Sequence, residues 1–198
     1  MNAIQLLKDD HKKVRALLSE LESTTSRGVK TRTQLLEKIG VELRVHAKIE
    51  EEIFYPAFKA AGEKTDDETM YFEAKEEHRA VELLVLPDLE KTDPASECFG
   101  GRAKVLKELI EHHAGEEEKE MFPRARKLLS AAELNELGAR MEARKNELLA
   151  GEPGLLEKAA TKVVDAIAPR EDDEAAPQVP AAARQRADGR GTGTRAHR

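Results

Sequence analysis

The sequence predicts an all-α protein: an up-down-up-down four-helix bundle with additional C-terminal helices and a disordered tail. Apolar residues recur every three or four positions through most of the chain, which is the period of a helix with one buried face. Aromatic residues make up only 4% of the chain and Trp is missing, which disfavours a β-sandwich or barrel. Turn-forming residues near positions 26–28, near Gly62 and near Asp93 and Pro94 divide the pattern into four segments with short connections.

Each predicted bundle helix carries one apolar seam, over residues 4–21, 36–57, 71–85 and 103–117. Gly100 and Gly101 are expected to lie in the loop before the fourth helix. A fifth helix is predicted from Ser130 to about Leu149, because Ser130 begins a capping box and Gly151 follows its end. A short sixth helix over residues 155–167 is expected to dock on the bundle or, alternatively, to contact a partner.

These elements divide the chain into three regions: a bundle over residues 1–129, a helical extension over residues 130–168, and a tail over residues 169–198. The tail has a single Val and no Leu, Ile, Phe or Tyr. Such a segment cannot bury enough apolar surface to offset the chain entropy lost on folding, so we expect it to be disordered.

Composition excludes several classes of protein. The net charge of −6 disfavours nucleic acid as the main partner. No apolar run is long enough to cross a membrane, and the N-terminus does not resemble a signal peptide. Cys98 is the single cysteine, so an internal disulfide is excluded and a cytoplasmic location is expected. Catalytic triads, phosphate-binding glycine loops and CxxC pairs are missing from the sequence.

Six polar residues occupy seam positions that are otherwise aliphatic: His11, His46, His78, His113, Glu50 and Glu117. Each Glu follows a His by four positions, so it lies on the same helix face one turn further along. The spacing is regular, because 35 residues separate His11 from His46 and also His78 from His113.

An internal repeat with an offset of 67 residues accounts for this regularity. Each half reads His-x34-His-x3-Glu, and flanking residues match as well, for example Pro56 with Pro123. In an antiparallel hairpin, residues equidistant from the turn lie at one height, and the midpoints between successive histidines fall on the predicted turns. We therefore expect four imidazoles, one per helix, at one level of the bundle, with both carboxylates on the same side of them.

The cost of burying these groups indicates their role. An unpartnered buried polar group costs about 2–7 kcal/mol, whereas a whole domain is stabilised by only about 5–15 kcal/mol. Metal ions would satisfy all six groups, and imidazole and carboxylate ligands without thiolate suit Fe, Mn or Zn. Two carboxylates can bridge two metals, which leaves two His per metal and open coordination positions for a small ligand.

Several neighbouring residues have more than one interpretation. His112 is adjacent to His113 but lies off the seam, so a surface position is favoured over a ligand role. Glu51 and Glu118 match across the halves and are interpreted as supporting or solvated residues. Tyr55 is expected to pack the end of the bundle, with a hydrogen bond near the site as the alternative.

These motifs resemble the hemerythrin-like (HHE cation-binding) domain family. The resemblance covers roughly residues 3–129 and is carried by Asp10-His11, His46-x3-Glu50 with Phe54-Tyr55-Pro56, Glu77-His78, and His113-x3-Glu117 with Met121-Phe122-Pro123. It implies a bundle around two iron ions, oxo- or hydroxo-bridged, with Glu50 and Glu117 bridging them and Mn or Zn as alternative metals. It also implies a small ligand such as O2, H2O2 or nitric oxide (NO).

The third helix departs from the family pattern. Oxygen-carrying hemerythrins have a fifth His one turn before the third-helix His, where this chain has Ala74. A water, Glu73, Tyr71 or another carboxylate could take that coordination position. The family's wider His-to-carboxylate spacing on the fourth helix would be reproduced by His112 and Glu117, which keeps His112 as a reserve ligand. The missing His disfavours reversible O2 carriage and favours relatives that handle peroxide, nitric oxide or iron.

Three functions are consistent with the sequence. The first is a non-haem di-iron protein that reacts with O2 or H2O2, including catalase-like peroxide breakdown. The second is an iron- or oxygen-sensing or iron-handling module without catalysis, which contacts a protein partner through the C-terminal extension. The third is a helical interaction protein without metal.

Overall fold

A computed structural model describes residues 1–151. Within them the fold is the predicted all-α bundle, with five helices and no strand. Helix α1 is Ala3–Ser23; α2 runs from Val29–Ile49 through a π-helical turn, Glu50–Phe54, to Tyr55–Ala61. Helix α3 combines Thr65–Ala80, the π-helical turn Val81–Val85 and Leu86–Glu90, and α4 combines Glu97–Glu116, the π-helical turn Glu117–Met121 and Phe122–Leu128. Helix α5 is Ala131–Ala150, while the predicted sixth helix and tail lie outside the described residues.

Three prolines produce the π-helical turns. Pro56, Pro87 and Pro123 each lie two residues past such a turn, and each lacks the N–H that an α-helix needs there. The residue before each proline instead donates its N–H to the carbonyl five residues earlier, as Tyr55 does to Glu50 and Phe122 to Glu117. The helices therefore widen locally without ending.

Surface ion pairs join neighbouring helices around the bundle. Lys13 contacts Glu42 between α1 and α2, and Arg44 contacts Glu90 between α2 and α3. Arg102 lies near Asp88 between α3 and α4, and Lys107 contacts Glu22 between α4 and α1. The helices thus follow the up-down-up-down order that the three short connections predict.

Two apolar clusters fill the interior, one on each side of the histidine level. One contains Val14, Leu36, Ile39, Leu106 and residues near them, at the end where the chain connects α1 to α2. The other surrounds Phe54, Tyr55, Phe58 and Phe122, and it extends into the fifth helix. The polar site is therefore enclosed between two aliphatic and aromatic layers.

Helix α5 packs against α1 and α2 and covers one side of the bundle. Its Leu134, Leu137 and Met141 are buried in the second cluster. Gly138 permits the closest approach, because a Cβ there would lie 2.7 Å from the backbone of both Asn2 and Ala3. Ser130 and Glu133 form the predicted capping box at the start of α5.

The prediction that Gly100 and Gly101 lie in the loop before the fourth helix was wrong. Both lie in the first turn and a half of α4, which begins at Glu97 because the Ser96 side chain accepts the Phe99 N–H. Nothing lies within 4 Å of a Cβ built at either glycine, so this exposed start of the helix tolerates them. Among the described residues, no helix is long and apolar enough to cross a membrane.

Candidate metal centre

The four seam histidines meet as two pairs, one from each half of the repeat. His11 on α1 and His46 on α2 face each other with their Nε2 atoms 3.2 Å apart. His78 on α3 and His113 on α4 do the same at 3.1 Å. All four are buried, with at most 6% of each residue exposed. The expected level of four imidazoles is therefore present.

The two seam glutamates connect the pairs. Glu50 Oε2 lies 3.1 Å from Nε2 of His46 and 3.3 Å from Nε2 of His78. Glu117 Oε2 lies 3.1 Å from Nε2 of His11 and 3.8 Å from Nε2 of His113. Each carboxylate thus reaches one histidine of each pair, which is the arrangement of two bridging ligands.

A carboxylate lies beside the outer nitrogen of every histidine. His11 Nδ1 is 2.9 Å from Glu118 and His78 Nδ1 is 3.1 Å from Glu51, and these two glutamates follow the bridging pair in sequence. His113 Nδ1 is 2.8 Å from Glu77, whereas His46 Nδ1 is 3.7 Å from Asp10. A carboxylate at Nδ1 favours the proton on that nitrogen and leaves the Nε2 lone pair free for a metal. Glu51 and Glu118 therefore take supporting positions.

Tyr55 packs in the apolar cluster at the bundle end, as expected, and its hydroxyl also reaches the site, which was the alternative. Its hydroxyl donates to Glu117 Oε1 at 2.8 Å and lies 3.4 Å from both Glu50 Oε2 and His78 Nε2. The π-helical turn causes this, because its closing bond spans five residues and brings Tyr55 onto the face of Glu50. The proline inside the helical pattern was the sequence signal that could have indicated the change of face.

Phe122 is the counterpart of Tyr55 in the other half. Its ring stacks on His11 at 5.8 Å between centroids, as the Tyr55 ring stacks on His78 at 5.4 Å. The repeat is therefore preserved in packing, and the two halves differ here by a single hydroxyl group.

Burial and neighbouring charges set the protonation of the cluster. Burial lowers the pKa of His46 to about 4, so its ring is neutral at pH 7 and can act as a ligand. Burial and the charge of Glu117 raise the pKa of Glu50 well above its usual value. Although burial opposes it, His113 and His11 hold the pKa of Glu117 below its usual value. Without metal, the negative charge is therefore favoured on Glu117 and the proton on Glu50.

The residues present fit a dinuclear metal centre. One set of ligand atoms, from His11, His46, Glu50 and Glu117, and a second, from Glu50, His78 and His113, each lie within 4.8 Å of one another. Glu50 Oε1 and Glu117 Oε2 make no hydrogen bond with residues 1–151, although both atoms are buried. Buried carboxylate oxygens without partners are costly, and two cations between the histidine pairs would satisfy them.

A cavity of about 280 Å³ adjoins the four histidines. Apart from them, its walls are mainly aliphatic and include Val14, Leu43, Val81 and Ile110. Neither bridging glutamate lines it. The histidines thus face carboxylates on one side and a largely apolar space on the other.

The residues considered for the position of the missing histidine lie elsewhere. Ala74 is buried and Glu73 is exposed. Tyr71 packs edge-on against Tyr55, with ring centroids 6.4 Å apart, and no hydrogen bond joins it to the cluster within residues 1–151. The His112 side chain is 57% exposed and lies outside the cluster, as its position off the seam predicts.

Known proteins are similar to this chain in sequence. The family described as hemerythrin HHE cation binding domain matches residues 2–125. The uncharacterised protein Rv2633c of Mycobacterium tuberculosis is 31% identical over 149 residues, which is 75% of this chain and 88% of that protein. A DNA nickase of a Nostoc species is 26% identical over 148 residues, but the match covers only 40% of that longer protein.

A crystal structure shows the same fold. It is that of a hemerythrin HHE cation binding domain-containing protein from Mycobacterium kansasii, a homolog of Rv2633c. It aligns with a TM-score of 0.67 and 29% identity, over 82% of this chain and 94% of the other. The family match covers more than half of the chain and includes every seam histidine and glutamate, so the protein belongs to the hemerythrin HHE cation-binding domain family.

Proposed function

We propose that this chain is a non-haem di-iron protein whose site binds O2 or nitric oxide or reacts with hydrogen peroxide, with catalase-like peroxide breakdown as its enzymatic form. The observation that carries the proposal is the pairing of His11 with His46 and of His78 with His113, connected by Glu50 and Glu117. This set supplies two His and shared carboxylates to each of two ions. Mn and Zn also accept these ligands, so the identity of the metal is part of the proposal.

The apolar cavity supports a small uncharged ligand. A cavity of about 280 Å³ whose walls are mainly aliphatic accepts O2, nitric oxide or neutral peroxide, although Glu76, Glu77 and Glu82 also line it. It adjoins the histidines on the side away from Glu50 and Glu117, where coordination positions would remain open. Open positions are typical of reactive rather than purely structural metal sites.

Two iron ions, when bound, can exchange two electrons with such a ligand. The chain's own contribution is to orient the ligands, since carboxylates at Nδ1 hold the imidazoles of His11, His78 and His113 with Nε2 toward the centre. Burial raises the pKa of Tyr55 well above its usual value, so its hydroxyl stays protonated. Tyr55 therefore holds a proton beside both bridging carboxylates.

Peroxide breakdown is the most direct test of the enzymatic form. Two H2O2 molecules give one O2 and two waters, since one peroxide is oxidised and the other reduced, so no external reductant is needed. Iron-loaded protein should release O2 from H2O2 in an oxygen-electrode assay, and His46→Ala and His113→Ala should abolish the release. If iron-loaded protein releases no O2, the catalase-like form is excluded, and ligand binding is then followed by the optical spectrum with O2 or nitric oxide.

An iron- or oxygen-sensing or iron-handling module is the second candidate, favoured by an ion pair between α5 and Asp10, the residue next to His11. Lys145 on α5 forms an ion pair with Asp10, and Asp10 faces His46 Nδ1 at 3.7 Å. Metal occupancy could thus alter how the extension over residues 130–168 presents itself to a protein partner. Limited proteolysis should then cut the extension faster after metal removal, and an identical cleavage pattern would count against sensing.

We also propose that the protein functions in the cytoplasm. Cys98 is the chain's single cysteine, and it is free and exposed, as a reducing compartment permits. No role in nucleic-acid or membrane binding is proposed. A protein purified from iron-replete cells with no transition metal would instead favour a helical interaction protein.

A further inference from the structure

One face of the bundle differs sharply between the two halves of the repeat. In the first half this face lies next to the first histidine pair and is apolar and buried. Helix α5 packs over much of it. The face consists of Ala3, Leu6, Leu7, Val45, Ile49 and Ile53. A shift of 67 residues gives the corresponding positions of the second half: Met70, Glu73, Ala74, His112, Glu116 and Glu120. An apolar face has thus become an acidic one that contains a histidine.

The acidic face, which we define as Glu73, Glu77, Glu116, Glu120 and His112, is accessible. Glu73, Glu120 and His112 are exposed, and α5 packs on the opposite helices. No Lys or Arg of residues 1–151 forms an ion pair with any of the four glutamates, unlike Glu118 with Arg15 or Asp10 with Lys145. Four uncompensated carboxylates create a local negative potential that attracts cations.

A small cavity leads from the acidic face to the metal centre. It has a volume of about 50 Å³, its rim is formed by the four glutamates, and Ala74 lies in its wall. His113 and Glu117 also line it, and Glu117 is only 2% exposed. Glu117 Oε2 makes no hydrogen bond with residues 1–151, although His11 Nε2 lies 3.1 Å away. In the first half, the position of Ala74 is filled by Leu7, which is fully buried.

Three side chains of the acidic face have ligand atoms close enough to share a metal ion: Glu77, His112 and Glu116. His112 Nε2 is 3.4 Å from Glu77 Oε1 and 3.3 Å from Glu116 Oε1. The other oxygen of Glu77 is 2.8 Å from Nδ1 of the buried His113. Glu77 therefore connects an exposed imidazole with a histidine of the centre.

We propose that the acidic face is the route by which a divalent transition-metal cation reaches the buried centre, with Glu77, His112 and Glu116 as its first binding site. The carboxylates attract the cation, the imidazole and carboxylates bind it, and the cavity beside Ala74 leads it to Glu117 and His113. This inference rests on the proposed function, because it requires the centre to be a metal site.

The test follows metal uptake rather than activity. Metal-depleted full-length protein is mixed with Co²⁺, and the visible absorption of the bound ion gives both the rate and the number of ions per chain. Glu73→Gln with Glu120→Gln should slow uptake by about tenfold, the size of a moderate electrostatic steering effect, with an unchanged end point, because neither residue belongs to the first binding site. Glu20→Gln with Glu37→Gln is the matched control, since it removes the same charge from exposed positions of the first half and should leave the rate unchanged.

A second variant tests the passage itself. Ala74→Leu fills the cavity as Leu7 does in the first half, so it should slow both uptake and the loss of metal from loaded protein to a chelator. Wild-type uptake should also slow with added salt, and more than uptake by the double variant.

Two results would overturn the inference in different ways. If the acidic-face variant and the control load at the wild-type rate, the route is wrong while the metal centre stands, and the face is then better explained as a docking surface for a basic partner. If Co²⁺ does not bind to the wild-type chain at all, the proposed function fails together with the route.

Discussion

The two halves of this molecule hold the same ligands in very different surroundings. Each contributes a histidine pair, a bridging glutamate and an aromatic ring stacked on a histidine. Around the first pair, α5 covers the bundle and Lys145 contacts Asp10. Around the second, Glu77 contacts the exposed His112 and the face is acidic. The repeat therefore accounts for the residues that the two halves share, and its divergence is the basis of the proposed route to the centre.

The largest expected effect comes from removing one histidine of either pair. His46→Ala and His113→Ala should each reduce the metal content from two ions per chain towards one, because each pair supplies two ligands to its ion. Metal analysis by mass spectrometry at equilibrium measures this. Lys12→Ala is the control, since this exposed side chain lies outside the cluster and outside the acidic face, and the final content should stay at two. If only one of the two pairs affects the content, the halves are not equivalent ligand sets.

Removing the lysine that covers the first half should have the next largest effect. Lys145→Met leaves the buried Asp10 carboxylate without its cation, which should cost about 3 kcal/mol of unfolding free energy. Urea unfolding of the metal-free protein measures it. The exposed Lys119→Met on α4 should change stability by less than about 0.5 kcal/mol. Equal small effects would show that α5 does not stabilise the first half through this contact.

The next prediction concerns the rings stacked on His11 and His78, which differ by the hydroxyl group of Tyr55. Tyr55→Phe copies Phe122 and removes the donor to Glu117 Oε1, which should cost about 1.5 kcal/mol, since the acceptor is a buried carboxylate. The same urea unfolding measures it, and the metal content should stay at two. A loss of metal would instead mean that the Tyr55 hydroxyl is itself a ligand. Tyr71→Phe is the control, because it removes a phenol hydroxyl that makes no hydrogen bond to the cluster within residues 1–151.

The smallest expected effect concerns how the first helix of each half begins. Asp67 holds the start of α3 by accepting from Arg124 at 2.6 Å and from the N–H groups of Glu63 and Lys64. Hydrogen bonds from Arg124 and from these N–H groups hold the pKa of Asp67 well below its usual 3.8. The stabilisation is therefore fully present above about pH 4 and is lost as the pH falls through the lower folded-state pKa.

Asp67→Asn should thus lower the unfolding temperature of the metal-free protein by a few degrees at pH 7, with a smaller difference from wild type below pH 4. Asn2→Ala removes the uncharged cap of α1, and its effect should not change over this range. A pH-independent effect of Asp67→Asn would show that its charge is not what secures α3.

Periodicity and symmetry made most of the fold and the cluster predictable. The seam spacing predicts the helices, and the midpoints of the His intervals predict the connections, so the level of four histidines follows without a structure. Tyr55 could not be placed in this way, because Pro56 widens the helix and the 3.6-residue period no longer applies. Gly100 was misplaced because glycine usually marks a loop, yet the Ser96 cap starts α4 ahead of it.

The position of α5 could not be derived from its own sequence either. Its apolar face does not specify which helices it covers, and its close approach to Asn2 and Ala3 depends on Gly138, where a side chain would clash. The acidic residues of the second half could be interpreted only after the structure showed that α5 covers the corresponding apolar residues of the first half. The repeat could be identified from the sequence, but the different surroundings of its two halves could be identified only from the packing of α5.

The central claim is a dinuclear centre held by the two histidine pairs. Its most direct test is the metal content of the full-length protein purified aerobically from iron-replete cells, together with its optical spectrum before and after adding O2 or H2O2. The account predicts two irons per chain, with charge-transfer absorption that changes when the ligand is added. A metal content near zero for iron, manganese and zinc alike would contradict it.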